Sequence, residues 1–428
     1  GVPTSHRALG RLVLGTGLLL VLTAACSSDS TSGPTTTTGP AASRPTATPT
    51  ATPAASRPTV AAATACATDH PDRWMGCIRA ATPGFASRML TATALPGAHD
   101  AGTSALDLGA FDTQDGSDCT NYSPAFASAP SLVQRWSQTQ TLDLAGQLDA
   151  GVRYLDLRIA WTGSTATGWR LVHTLFSTHP LATDLAQVAT WARAHPTEVV
   201  LADVQHLCYD NHPTPADERA LWADFAPLAP VSYDPLRGRP VSTATLGGIT
   251  GQGGRNVVVL LPSSVRQPSV LTGRVGVHAT FTTDPGTSSG PHPVPSVPER
   301  YAWASTVAPS SAAGFDAANR ALAAYPTTLH PPLGAMAGTG LFQAQLIYSL
   351  SSSDLSAELD IFRSFAGLIP PGPGAPPATQ PAWEAGLWET PFGRNQVVAG
   401  WGHKLNVVVT DAVQTAGFVP AVVAQNGA

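Results

Sequence analysis

One pattern constrains this chain more than any other: short apolar runs that alternate with stretches of apolar residues at helical spacing. Val152 to Ala160, Arg170 to Thr174, Glu198 to Val204, Asn256 to Leu261, Phe342 to Leu350 and Leu405 to Thr410 read as strands. Leu142 to Asp149, Asp184 to His195 and Ala216 to Leu228 read as helices, with Asp184 and Asp217 near their starts. Strand, helix and strand in succession predict parallel pairing, because the crossover returns the chain to the same edge. A strand near Leu95 and a weak one around Val275 to Phe281 or Tyr301 to Ser305 bring the count to about eight, and eight strands over ~250 residues plus insertions match an α/β TIM (β/α)8 barrel from Thr82 onward. A doubly wound open sheet fits the same alternation, but no GxGxxG or GxxxxGK[ST] loop opens a helix.

The first part of the chain has a different character. Arg7 and Arg11 precede an apolar run from Leu12 to Ala25, followed by Cys26. A charged start, an apolar core and small residues before a cysteine make 1–25 a secretory signal, too short for a comfortable membrane span of ~20 residues. Thr23-Ala24-Ala25-Cys26 resembles the lipobox of bacterial lipoproteins, which makes Cys26 the expected lipidation site and anchors the protein to the outer face of a bacterial membrane. From 26 to 65 the composition is Ser, Thr and Pro, with only Asp29, Arg44 and Arg57 charged. That is a disordered tether, able to reach up to roughly 120 Å when extended. The folded domain is then expected over 66–428.

Charge excludes one class of partner. With 23 basic against 28 acidic residues and no basic cluster, nothing predicts a grip on nucleic acid phosphates. Four cysteines besides Cys26 in an oxidising compartment predict two disulfides, Cys66 with Cys77 and Cys119 with Cys208. No CxxC or matched histidine pair flanks them, so zinc is not expected.

Polar residues stand where strands end, the place a parallel barrel keeps its reactive groups. His99 and Asp100 follow the first strand; Asp156 and Arg158 alternate with leucines along the second and share a side. His173 ends the expected third strand, Asp203 and Gln205 close the fourth with His206 beside them, and Asp411 follows the last. Each residue alone has a bland reading as a surface or paired group. Together, two imidazoles that titrate near neutrality suit a general base and a general acid, and an arginine between them suits a phosphate.

Leu95-Pro-Gly-Ala-His99-Asp100-Ala-Gly-Thr103, Gly151-Val-Arg-Tyr-Leu-Asp156-Leu-Arg158, Val172-His173 and Glu198-Val-Val-Leu-Ala-Asp203-Val-Gln205-His206 together resemble the X region of phosphatidylinositol-specific phospholipase C proteins. Phe342 to Tyr348 and Asn406 to Asp411 are similar to the closing strands of that family. The resemblance implies a distorted TIM barrel and a phosphodiesterase acting on an inositol-type phospholipid, as a monomer without a cofactor. It implies His99 as the base on the inositol 2-hydroxyl and His173 as the acid on the departing diacylglycerol oxygen. Asp411 would orient the base, Asp100 and Asp156 would flank the acid and the arginine, and Arg158 would stabilise the phosphorane. Asp203, Gln205 and His206 would touch substrate.

The calcium-dependent branch of that family has acidic ligands where this chain has Arg158 and Gln205, so no catalytic metal is expected. Gln205 and the long loop from Asp107 to Gln140 depart from the pattern and bear on the head group. The insert from Pro370 to Pro391, with Trp383, Leu387 and Trp388, suits either a lipid interface or a cap on the barrel. Two rival readings are a metal-dependent phosphodiesterase of the glycerophosphodiester or sphingomyelinase D type, and a non-catalytic surface lipid or glycan binder.

Overall fold

The computed structural model describes residues 57–112, 130–209, 212–262, 269–271, 275–281, 296–303, 306–307, 320, 341–346, 348–349, 394–401, 406–414 and 417–427. Cys26, the signal, most of the tether, Cys119 and the Pro370 to Pro391 insert lie outside these residues.

Among the described residues, eight strands carry the parallel part of the sheet: β1 (Leu95–Ala98), β3 (Tyr154–Trp161), β6 (Val200–Cys208), β7 (Val257–Pro262), β8 (Val275–Phe281), β9 (Ser296–Trp303), β11 (Leu341–Leu346) and β13 (Val407–Thr410). Along the sheet they run β1, β13, β11, β9, β8, β7, β6, β3, with every neighbour parallel. β1 pairs with β13 on one side and with β3 on the other. Runs such as Val257-Val258-Val259 and Val407-Val408-Val409 are fully buried along their length, as strands covered on both faces must be. Each such valine contributes about 1.5–3 kcal/mol relative to exposure. Both weak strand segments of the sequence, near 275–281 and 301–305, correspond to strands.

Helices α4 (Leu144–Asp149), α5 (Leu181–Ala194) and α6 (Pro215–Asp224) lie between strands, close to their expected places, and α7 (Leu246–Thr250) is a further short helix that the sequence reading did not predict. Their starts follow from local chemistry. Asp143 accepts from the Gly146 N–H at 2.8 Å, and Thr214 with Asp217 forms a reciprocal cap in front of Pro215.

Three expectations need correction. β4 (Trp169–His173) is not a parallel strand of the barrel series: it pairs antiparallel with β3, then turns into β5 (Leu175–Ser177), which pairs antiparallel with β2 (Leu106–Phe111). The link from 162 to 168 is too short for a crossover, which needs a dozen or more residues, so only a hairpin was available. The stretch from Asp107 to Gln140 is not one loop, for it includes most of β2 and α3 (Pro130–Ser137). A helix also starts before Cys66, inside the expected tether: α1 (Val60–Asp69), where Thr59 accepts from the Ala62 N–H at 3.1 Å. An alanine-rich segment that looks linker-like by composition is a good helix former once a face can be buried, here through Ala63, Cys66 and Ala67.

α1 and α2 (Trp74–Ala81) cover the amino-terminal end of the sheet, joined by the expected Cys66–Cys77 disulfide. Beneath them Arg153 is fully buried, and its guanidinium meets Glu198 Oε2 at 2.7 Å and the carbonyls of Leu148, Val152, Pro71 and Asp72. Glu198 also accepts from the Met75 and Gly76 N–H groups at 3.1 and 2.8 Å. The arginine lies over Trp191 at 4.8 Å from the ring centre. This pair ties the first helices to the starts of β3 and β6. Removing one partner leaves an uncompensated buried charge, so Glu198→Gln is expected to cost about 3–5 kcal/mol in denaturant unfolding. The double change Arg153→Met with Glu198→Gln should cost less than the sum of the single changes.

Candidate active site

His99 is the first residue past β1, its N–H donating to the Thr410 carbonyl at 3.0 Å. Asp411 is the first residue past the neighbouring β13, which places the two side chains together: His99 Nδ1 lies 2.7 Å from Asp411 Oδ1. A carboxylate there accepts the Nδ1 proton and leaves Nε2 as the nitrogen for proton transfer. Arg158 Nη2 sits 3.2 Å from that Nε2.

Asp100 is the hub. Its buried carboxylate contacts Arg158 Nε through Oδ1, while Oδ2 lies 3.3 Å from His173 Nδ1 and 3.4 Å from His99 Nε2. Its N–H donates to Asp156 Oδ2 at 3.2 Å, and Arg158 Nη2 lies 3.9 Å from the same oxygen. Burial opposes charge on Asp100, but Arg158, His173, His99 and His206 together outweigh it and hold the carboxyl well below its usual range. Asp156 goes the other way: burial and the nearby Asp100 push it up against the pull of Arg158.

His173 arrives by a different route from the one expected. Carried by the β3–β4 hairpin, its ring comes to 6.4 Å from that of His99, edge to face. Its Nδ1 is 2.8 Å from the Ser137 carbonyl, which can only accept, so Nδ1 carries the proton. Burial lowers its pKa, with Asp100 and the Ser137 bond working against that shift and Arg158 adding to it.

All six expected catalytic side chains therefore converge. The three expected substrate contacts divide. Asp203 is fully buried, takes a hydrogen bond from Tyr154 Oη at 2.6 Å, and is joined by Gln205 Nε2, which also reaches Tyr154 Oη at 2.7 Å. Asp203 and Gln205 thus belong to a hydrogen-bonded set inside the sheet. His206 stands opposite Arg158, because the β3–β6 register shifts between Leu157 and Arg158 and Gln205 becomes the extra residue.

Sequence reasoning missed the residues that hold this arrangement. Thr139 Oγ1 and Gln140 Nε2 each donate to the His99 carbonyl at 3.0 Å, and Gln140 also reaches the Thr410 carbonyl at 3.0 Å. Two ordinary polar residues after a helix carry no signal for that role. Nor does backbone strain show in sequence. Asp100, Thr174 and Ala412 have φ of 43°, 62° and 49°, and they are a site residue and the immediate successors of two others.

His99, Asp100 and Asp156 bring one donor atom each within 4.8 Å of one another, compact enough for a cation. The Arg158 guanidinium already meets both carboxylates, and a cation would face its charge.

No family model matches the chain. It is 46% identical over 77 residues to mouse PI-PLC X domain-containing protein 1, covering 18% of this chain and 22% of that protein. It is 32% identical over 121 residues to human PI-PLC X domain-containing protein 3, covering 28% and 37%. The matched segments thus span 22% and 37% of these two curated relatives' lengths. Among solved structures, phosphatidylinositol-specific phospholipase C of S. aureus aligns over 84% of this chain and 98% of its own at 14% identity and a TM-score of 0.49. The phosphatidylinositol-specific phospholipase C from Listeria monocytogenes aligns at 16% identity and a TM-score of 0.42, over 82% and 98%. Through segments of 16% to 31% of its length, this chain is similar to PI-PLC X domain-containing proteins.

Proposed function

We propose that the protein is a phosphodiesterase of the phosphatidylinositol-specific phospholipase C type. The observation that carries this reading is the pair of imidazoles, 6.4 Å apart, each with its Nδ1 engaged by a carboxylate or carbonyl acceptor and with Arg158 against the first. On this reading a phosphoryl group is received beside the two rings, its attacking oxygen at His99 Nε2 and its leaving oxygen at His173 Nε2. His99 Nε2 takes the proton from a head-group hydroxyl, whose oxygen bonds to phosphorus. The bond from phosphorus to the diacylglycerol oxygen breaks, and His173 Nε2 gives that oxygen a proton. The products are a cyclic phosphodiester and diacylglycerol. Arg158 releases His99 Nε2 when the hydroxyl arrives and turns its donors to the phosphoryl oxygens, where charge builds. His206, across from Arg158, is read as a contact to the head group.

The same reading includes a closed, distorted (β/α)8 barrel, supported by the pairing of β1 with both β13 and β3. It includes a lipid anchor at Cys26 on the outer face of a membrane and a monomeric enzyme acting on a phospholipid there. Cys208 is disulfide-bonded, and we assign its partner as Cys119. The compact His99, Asp100 and Asp156 cluster favours one second reading, a metal-dependent phosphodiesterase.

Incubation with a panel of phosphodiester lipids, with products identified by mass spectrometry, tests the activity. Inositol lipids should yield diacylglycerol, and turnover should survive excess EDTA; loss in EDTA with recovery on adding a divalent cation would favour the second reading. His99→Ala should abolish turnover of every substrate, and Arg158→Lys should cost ~10²-fold or more, since a point charge cannot replace the fork. His173→Ala should cost ~10²- to 10⁴-fold with a lipid but far less with a nitrophenol-type leaving group, which needs no proton.

The pH profile follows from the lowered His173 pKa. A general acid works only while protonated, so kcat/KM for the lipid should fall as pH rises through a midpoint below the ordinary histidine value of 6.5. That limb should vanish with the activated leaving group, and a lipid profile flat from pH 5 to 7 would contradict the assignment.

Cys26→Ser should release the protein from membranes into the soluble fraction. Unchanged membrane retention and apparent mass would remove the anchor.

A further inference from the structure

His99 and His173 are mounted on different parts of the molecule. His99, Asp100 and Asp411 stand at the ends of β1 and β13, whose Leu95, Ala98, Val407, Val408 and Val409 belong to the main hydrophobic core. His173 stands on an antiparallel excursion of β4, β5 and β2 with α3 against it. Among the described residues, Trp169 and Leu171 of β4 reach the main hydrophobic core, while the apolar side chains from the end of β4 through β5, β2 and α3 fall into two small clusters. Leu106, Val133 and Leu175 pack with Phe111, and Ala160, Val172, Phe176 and Cys208 pack with Ala110. Val133, on α3, is 1% exposed. Four residues on, at the carboxyl end of the same helix, the Ser137 carbonyl meets His173 Nδ1.

Resting on the reading of His173 as the general acid, we propose that α3 is its positioning element. Docked through Val133 on the small apolar cluster, the helix presents the Ser137 carbonyl to His173 Nδ1 and so keeps Nε2 as the proton-transferring nitrogen.

Three physical features support this role. The Ser137 carbonyl, at 2.8 Å, is the nearer of the two acceptors that select the Nδ1–H tautomer, and without it only Asp100 Oδ2, at 3.3 Å, opposes a shift of the proton to Nε2. The carboxyl end of a helix carries partial negative charge from its unsatisfied carbonyls, which favours the imidazolium needed in an acid. The bond to Ser137 and the charge of Asp100 are the two influences that raise the His173 pKa against burial.

The test uses the full chain with Val133→Asp, which undocks α3, and the milder Val133→Ala. Each is assayed on an inositol lipid and on an analogue with the same head group and a nitrophenol-type leaving group. Selective ¹⁵N labelling of histidine reads the His173 tautomer, assigned by the loss of its signal in His173→Gln. Val133→Asp is expected to lower kcat/KM on the lipid by ~10²-fold or more while changing the activated substrate less than about tenfold. Val133→Ala should move both in the same sense by less, and shift the acid limb of the lipid profile to lower pH. In a His173→Ala background, Val133→Asp should cost little more on the lipid, because the two changes remove one function.

Equal losses on both substrates, or an unaltered Nδ1–H signal for His173 in both variants, would overturn the proposal. Should Val133→Asp fail to fold, Val133→Ala gives the same two readouts. A wild-type protein inactive on every phosphodiester, with the His173 tautomer still lost on undocking α3, would sink the proposed function and leave the positioning role standing.

Discussion

The Asp100 carboxylate is almost completely buried, and the charged groups of the site are ordered around it. A lone ionised carboxyl in such a place is costly, and the group ordinarily answers by taking up a proton. Here Arg158, His99 and His173 stand close enough to reverse that tendency, so Asp100 keeps its charge and the guanidinium and two imidazoles acquire a common centre. The consequence passes to Asp156. With one buried anion already satisfied beside it, a second is disfavoured, and the Asp156 carboxyl is pushed up. Two carboxyls in one site thus take opposite characters from their surroundings.

At the other end of the strands a second buried ion network does different work. Arg153 and Glu198 precede β3 and β6, and with backbone carbonyls and N–H groups they satisfy nearly every donor and acceptor they own. That completeness makes the amino-terminal end a structural clamp. The network at the carboxyl ends is incomplete by comparison, with Asp156 Oδ1 buried and without a hydrogen-bond partner. It also sits on left-handed backbone at Asp100, Thr174 and Ala412. Strain and unmet polar capacity gather where a substrate has to be received, and the tightly bonded opposite end holds the strands that bear them.

The two histidines look equivalent in sequence and are not equivalent in structure. One belongs to the main sheet and inherits its rigidity; the other rides on a three-stranded antiparallel excursion with small apolar clusters. The main core still reaches β4 through Trp169 and Leu171, but a change in the small cluster around Val133 lies on the acid's side and need not repack β1 and β13 under the base.

The residue pattern alone was enough to predict the parallel α/β architecture, because apolar runs like Val407 to Val409 bury both faces and helical periodicity between runs forces crossovers. It also identified His99, Asp100, Asp156, Arg158, His173 and Asp411, because each follows or ends an apolar run and the spacing of two in Asp156 and Arg158 puts them on one face. The Cys66–Cys77 bridge was legible from its short loop. What tertiary structure alone decided was how those residues meet. His173 comes from an antiparallel hairpin, a matter of pairing partners that local periodicity cannot express. A one-residue shift between β3 and β6 left Gln205 as the extra residue and set His206 opposite Arg158, and a bulge depends on two strands together. Ser137, Thr139 and Gln140 hold the histidines through backbone carbonyls or bonds to them, and main-chain groups are the same in every residue, so no choice of amino acid announces the contact.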